Sequence, residues 1–80
     1  MRDEIHSLAE VRLDQTVAVR RILFECVRDR CAELGLSEGD RLRVGERDGL
    51  RVVVRAGDGR VVGCPVELAR FVEVGWSVDG

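Results

Sequence analysis

Three cysteines and one histidine are the side chains of this 80-residue chain best suited to holding a metal ion or doing thiol chemistry. Cys26 and Cys31 stand five residues apart. On a helix they would point roughly 140° away from each other, whereas paired thiolate ligands usually sit two to four residues apart. Cys31 falls on an apolar stripe with Phe24, Val27 and Leu34, and Cys64 shares inward parity with Val62, so both read as core. Cys26 lies on the flank of the stripe beside Arg30 and reads as a free thiol. His6 stands alone near the N-terminus. The metal candidates are therefore His6 and Cys26, within one copy or shared between two, with ferrous iron or zinc as the candidate ion.

Nucleophilic catalysis has little to work with. His6 is the only histidine, and no serine occupies an elbow motif. Gly57-x-Gly59 with Gly63 is followed by a strand pattern, not the helix that a dinucleotide fingerprint requires. The carboxylates are scattered over solvated positions, so the chain reads as a non-enzyme. Contact chemistry is better represented. Arg41, Arg43, Arg51, Val53 and Arg55 share outward parity on a predicted β meander, beside Glu46 and Asp48. Arginine forks suit bidentate contacts with carboxylate or phosphate. Trp76 follows the last predicted strand, and tryptophan is enriched at binding sites. Phe71 and Val53 have outward parity and extend an apolar patch toward it. The competing readings are an ordinary solvated sheet face and a tryptophan folded over the barrel mouth.

Composition narrows the class. The net charge is only −2 despite 35% charged residues. Nucleic-acid binders usually carry a net basic field, so nucleic acid is not an expected partner. All basic residues are arginine, a bias that GC-rich coding also produces. An 80-residue chain is one small domain, residues 1–80, with a core over about 7–74 and a tail over 75–80. A chain of this size buries only about 60% of its unfolded surface, so weak homo-oligomerisation or partner docking would add stability. The N-terminal residues lack the apolar core of a signal peptide. No apolar run approaches the ~20 residues that cross a bilayer. The expectation is a cytoplasmic protein without direct membrane insertion. An odd, irregularly spaced set of cysteines argues against a disulfide framework.

The elements follow from periodicity. Ser7 caps a short turn over Leu8–Glu10, with Glu10 completing a capping box. Residues 16–22 form a first strand, with Val17 and Val19 on one face. Residues 23–34 switch to helical period. Gly35 reverses the chain and Leu36 folds back on Cys31. Gly39 ends a tight turn, and Leu42 and Val44 start the next strand. Asp48-Gly49 and Gly57-Asp58-Gly59 mark two hairpin turns. Between them Leu50, Val52, Val54 and Ala56 read as one inward face. Residues 60–64 form a third meander strand, which Pro65 ends. Residues 66–70 fit one helical turn, and 71–74 a closing strand. Five short strands with a helix after the first suggest a small, strongly bent barrel.

In that order these residues resemble the FeoA family of small cytoplasmic proteins associated with the bacterial ferrous-iron transporter FeoB. The resemblance lies in Ser7-Leu8-Ala9-Glu10-Val11, Gln15-Thr16-Val17-Ala18-Val19, the helix stop Arg30–Leu36 with Gly39-Asp40, and Leu68-Ala69 followed by Val72-Glu73-Val74. It covers roughly residues 7–74. It implies an SH3-like five-stranded barrel with an α-helix inserted after the first strand and a short helical turn before the last. It also implies a non-enzymatic accessory role, binding the cytoplasmic part of FeoB, with recruitment to the inner face of the cell membrane. The same fold forms the C-terminal domain of metal-dependent repressors. The alternative implied is therefore a free-standing metal-binding or metal-responsive module. Asp14 stands where the family often has glycine, and Cys31 where it often has leucine.

Overall fold

A computed structural model of the chain describes residues 6–76. The elements are β1 (His6–Ser7), a 3₁₀ turn (Leu8–Glu10), β2 (Thr16–Ile22), α1 (Glu25–Leu34), β3 (Arg41–Arg47), β4 (Arg51–Ala56), β5 (Val61–Pro65), α2 (Val66–Ala69) and β6 (Val72–Trp76). All strand pairs are antiparallel, and the sheet runs β1-β6-β2-β3-β4-β5. It is the expected mainly β, SH3-like architecture with six strands in place of five. The added strand is β1, which pairs His6 with Val74 and Ser7 with Glu73. Two residues carry no alternation to read.

The core is aliphatic. Val17, Val19, Ile22, Leu42, Val44, Val52, Val54, Val62, Val72 and Val74 line the inside of the sheet, and Leu8, Val27, Cys31 and Leu36 pack against them. Each such valine or leucine contributes roughly 1.5–3 kcal/mol through burial. Helix α1 lies against β2 and β5, and α2 against β4, β5 and the 3₁₀ turn. These contacts cover the concave side of the sheet.

Two bulges make the pattern work. Strict alternation along β2 would bury Arg21 and expose Ile22. A register shift between Val19 and Arg21 inserts Arg20, so Ile22 reaches the core and Arg21 pairs with Glu73 outside. A second shift, between Val44 and Glu46, bends β3 at Gly45. Beyond it Arg47 reaches over the barrel end, donating from Nη1 to Ala9 O at 3.0 Å and Val11 O at 2.7 Å.

The helix stop is as read. Gly35 has φ of +95°. Its N–H donates to Ala32 O at 3.0 Å and that of Leu36 to Cys31 O at 2.8 Å, the paired bonds of a Schellman cap. Arg60 completes it. Asp58 Oδ2 holds the Arg60 guanidinium at 2.7 Å, and its Nη1 donates to Gly35 O at 2.9 Å. A cation thereby meets the negative end of the helix. Gly39, also at φ +95°, donates to Val19 O and sends the chain into β3.

Four expectations change. Helix α1 begins at Glu25, and Phe24, expected on its buried stripe, is 61% exposed with φ of +68°. Leu50 does not join the inward face of β4 but sits in the turn, 82% exposed. Asp48 causes this: its Oδ1 accepts the N–H of Leu50 and of Arg51, which holds Leu50 in the turn and starts β4 at Arg51. The closing strand runs past Val74, so Gly75 and Trp76 belong to β6 and not to a tail. The rest of the expected tail, residues 77–80, and residues 1–5 lie outside the described residues. Finally, Asp14 keeps the conformation glycine would supply, with φ of +66° and its N–H on Val44 O at 2.7 Å.

Candidate interaction surfaces

The thiols divide as their sequence positions suggest. Cys26 is exposed in the first turn of α1, while Cys31 and Cys64 are fully buried. The two buried thiols meet across the α1–β5 seam, a pairing that linear sequence does not reveal. Burial pushes the Cys64 thiol up to about 12, with the neighbouring Cys31 adding to the effect. Burial also raises Cys31, and its hydrogen bond with Cys64 opposes the rise. Both stay protonated at neutral pH, and both pack in the hydrophobic core.

His6 stands on β1, with its ring 5.6 Å from that of Trp76 at 49° and its Nδ1 3.7 Å from Glu10 Oε1. Glu10 also accepts the Ser7 N–H at 3.2 Å, so the 3₁₀ turn fixes its carboxylate beside the histidine. Arg12 and Gln15 complete the shallow cleft around this ring pair. The cleft places His6 with Trp76 and Glu10, and Cys26 on a different element. Among the described residues, no three His, Cys, Asp or Glu side chains converge to hold an ion.

At the other end of β6, Phe71 is half-buried and meets Phe24 edge-on, with centroids 5.4 Å apart at 77°. The Leu23 N–H donates to Phe71 O at 2.9 Å and aligns the two segments. Phe71, expected in the closing strand, stands in the turn just before β6, Trp76 ends that strand, and β2 and β3 separate both from Val53 on β4. The structure therefore gives Phe71 to one surface, Trp76 to a second and Val53 to a third.

That third surface is the outer face of β3–β5, and it gathers all four expected arginines. Thr16, Arg43, Arg55 and Val61 lie on one rung across four strands. Arg41 lies beside Ala18 on the neighbouring rung of β2 and β3. In the opposite direction, Glu46, Val53 and Gly63 form the next outward rung, followed by Arg51 and Pro65. Arg43 and Arg55 face each other directly, an arrangement that costs stability between like charges. Asp14 offsets little of this, because its Oδ1 is 3.5 Å from Arg43 Nη2 and both groups are well exposed. Among the described residues the Arg55 guanidinium has no hydrogen-bond or ion-pair partner. Two glycines open the centre. A side chain at Gly45 would meet only Val53 O, at 3.8 Å, and Gly63 lets the Arg51 stem lie across β5. Leu13 borders one shallow hollow beside Val53, and the 61% exposed Val61 borders another, apolar positions that alternation does not single out.

A model of the FeoA domain matches residues 6–75. The chain belongs to the FeoA domain family. A search of curated proteins returns no match. Among solved structures, the crystal structure of an iron uptake regulatory protein (FeoA) superposes with a TM-score of 0.79 at 23% identity, covering 90% of this chain and 97% of that one. A FeoA-like protein from Clostridium acetobutylicum gives 0.81 at 19% identity, covering 100% and 94%. A manganese-dependent transcriptional repressor in complex with manganese gives 0.79 at 26%, covering 88% of this chain but only 35% of the repressor. The FeoA domain here thus matches whole FeoA proteins and one part of a larger repressor. FeoA domains are small accessory domains, and the departures at Asp14 and Cys31 leave the fold unchanged.

Proposed function

We propose that this chain is a non-enzymatic accessory protein of bacterial ferrous-iron transport that binds the cytoplasmic part of a FeoB-type transporter and tunes its activity. The observation that carries the reading is the family match over residues 6–75. The outer face of β3–β5 supports it, because Arg43 and Arg55 face each other there and the half-buried Val53 lies on the next outward rung. On this reading Arg41, Arg43, Arg51, Val53 and Arg55 make the docking contacts, with Phe71 and Trp76 on secondary surfaces. The protein works in the cytoplasm and is recruited to the membrane by its partner. Among the described residues no helix is long and apolar enough to cross a membrane. Clean deletion of the gene should lower uptake of radiolabelled ferrous iron, and the tagged protein should co-purify with the transporter. Unchanged uptake and no co-purification would overturn the reading.

A second reading is favoured by the likeness to a repressor bound to manganese. In it the chain is a metal-responsive module, with His6 and Cys26 as candidate ligands for ferrous iron or zinc. Anaerobic titration separates the two readings: metal binding that His6→Ala or Cys26→Ala weakens supports the module, and no binding above buffer removes it.

A further inference from the structure

The outer face of β3–β5 is a pattern as well as a patch. Arg55 and Arg51 lie four residues apart on the same face of β4, about 13 Å along the strand, with Val53 midway. Gly63 removes the side chain that would flank Val53 on β5, and Glu46 stands beside it on β3. The backbone therefore sets Arg55, Val53 and Arg51 in a line at intervals of about 6.6 Å, with the Arg51 side chain leaning across Gly63 toward the middle of that line. Arg43, directly across from Arg55, doubles the charge at one end.

We propose that this line binds an extended, acidic peptide segment of a partner protein with the order acid-x-apolar-x-acid, laid along β4. The proposal rests on the docking reading above and gives that surface its occupant. An extended chain presents every second side chain to one side at the same ~6.6 Å repeat. One carboxylate of the segment meets the Arg43–Arg55 pair, the apolar side chain covers Val53 toward Val61, and the second carboxylate meets Arg51. Arginine forks match carboxylates in two parallel hydrogen bonds. A first carboxylate would also relieve the Arg43–Arg55 repulsion, so binding removes a cost that the free chain carries. A single phosphate group fits less well, because the arginines do not converge on one point. A nucleic-acid strand fits less well, because Glu46 on the middle rung would face its continuous negative backbone.

The test is a ¹⁵N-labelled NMR titration of the whole chain with a twelve-residue synthetic peptide carrying Glu-x-Val-x-Glu at its centre. Amide shifts should concentrate in β3, β4 and β5. They should weaken on the order of tenfold in affinity with Arg55→Glu and with Arg51→Glu, both exposed positions whose spectra should stay dispersed. A peptide with lysine in place of both glutamates should bind Arg55→Glu better than it binds the wild type. No shift at millimolar peptide, shifts centred elsewhere, or tighter binding of a single-stranded RNA of equal length with the same arginine dependence would each overturn the proposal. Its failure is separable from that of the transporter reading. Co-purification unaffected by Arg55→Glu removes this face and leaves the partner, whereas peptide binding without co-purification keeps the face and removes the partner.

Discussion

The seam between α1 and β5 and the outer face of β3–β5 use the same residue types to opposite ends. At the seam, Arg60 is held by Asp58 and spends its guanidinium on the carbonyl at the helix stop. On the outer face, Arg55 faces Arg43, and among the described residues its exposed guanidinium makes no hydrogen bond or ion pair. Gly35 at the seam is required by its backbone conformation, while Gly45 and Gly63 on the outer face leave open surface or room for a neighbour's side chain. The seam consumes its interactions in folding. The outer face withholds them, as expected of a surface whose partner is another molecule.

The contrast breaks first at the core of the seam. Leu36→Ala should cost about 3 kcal/mol, because Leu36 is fully buried beneath the Schellman cap. Urea unfolding checks this, and a loss below about 1 kcal/mol would mean that the seam is looser than described.

Gly35→Ala should cost about 1–2 kcal/mol. The new Cβ would sit in the left-handed region and 2.7 Å from Arg60 Nη1, so the Arg60 contact must also shift. The helix stop is the segment where sequence and structure agree most closely, because Gly35, Leu36 and Gly39 act through local backbone geometry. The two hairpin turns were legible for the same reason. Leu50 was misplaced because alternation was extended one residue into a turn that the Asp48 carboxylate holds. Phe24 was misplaced because helical period does not reveal where the first turn begins. For the candidate surfaces, sequence parity placed the four arginines on one face correctly. It does not show that strand order separates Phe71 and Trp76 from Val53, nor that Cys31 meets Cys64.

That thiol pair gives the next test. Well below pH 9 both thiols are protonated in folded and unfolded chains. Above it the unfolded chain releases protons first, since the folded Cys64 thiol is held up to about 12. The contribution of these thiols is thus fully present below about pH 9 and is lost as pH rises toward 12. Stability of the wild type should fall more steeply over this range than that of Cys64→Ala. Parallel curves from chemical unfolding at successive pH values would contradict the buried, protonated pair.

The smallest expected effect sharpens the comparison most. Arg60→Ala should cost roughly 0.5–1 kcal/mol, through loss of the bond to the helix-stop carbonyl. Arg55→Glu should leave stability within about 0.5 kcal/mol of wild type, and on the favourable side, because it replaces a like-charge cross-strand pair with an opposite one. Matched thermal melts decide whether one arginine serves the fold and the other does not.

The proposed docking of a partner on the outer face of β3–β5 is the point most open to experiment. It is tested most directly by the affinity of the cytoplasmic part of a FeoB-type transporter for wild type and for Arg55→Glu at equal folded stability. The expected result is a loss on the order of tenfold, steepest at low salt. Equal affinities, or no measurable affinity for either protein, would contradict it.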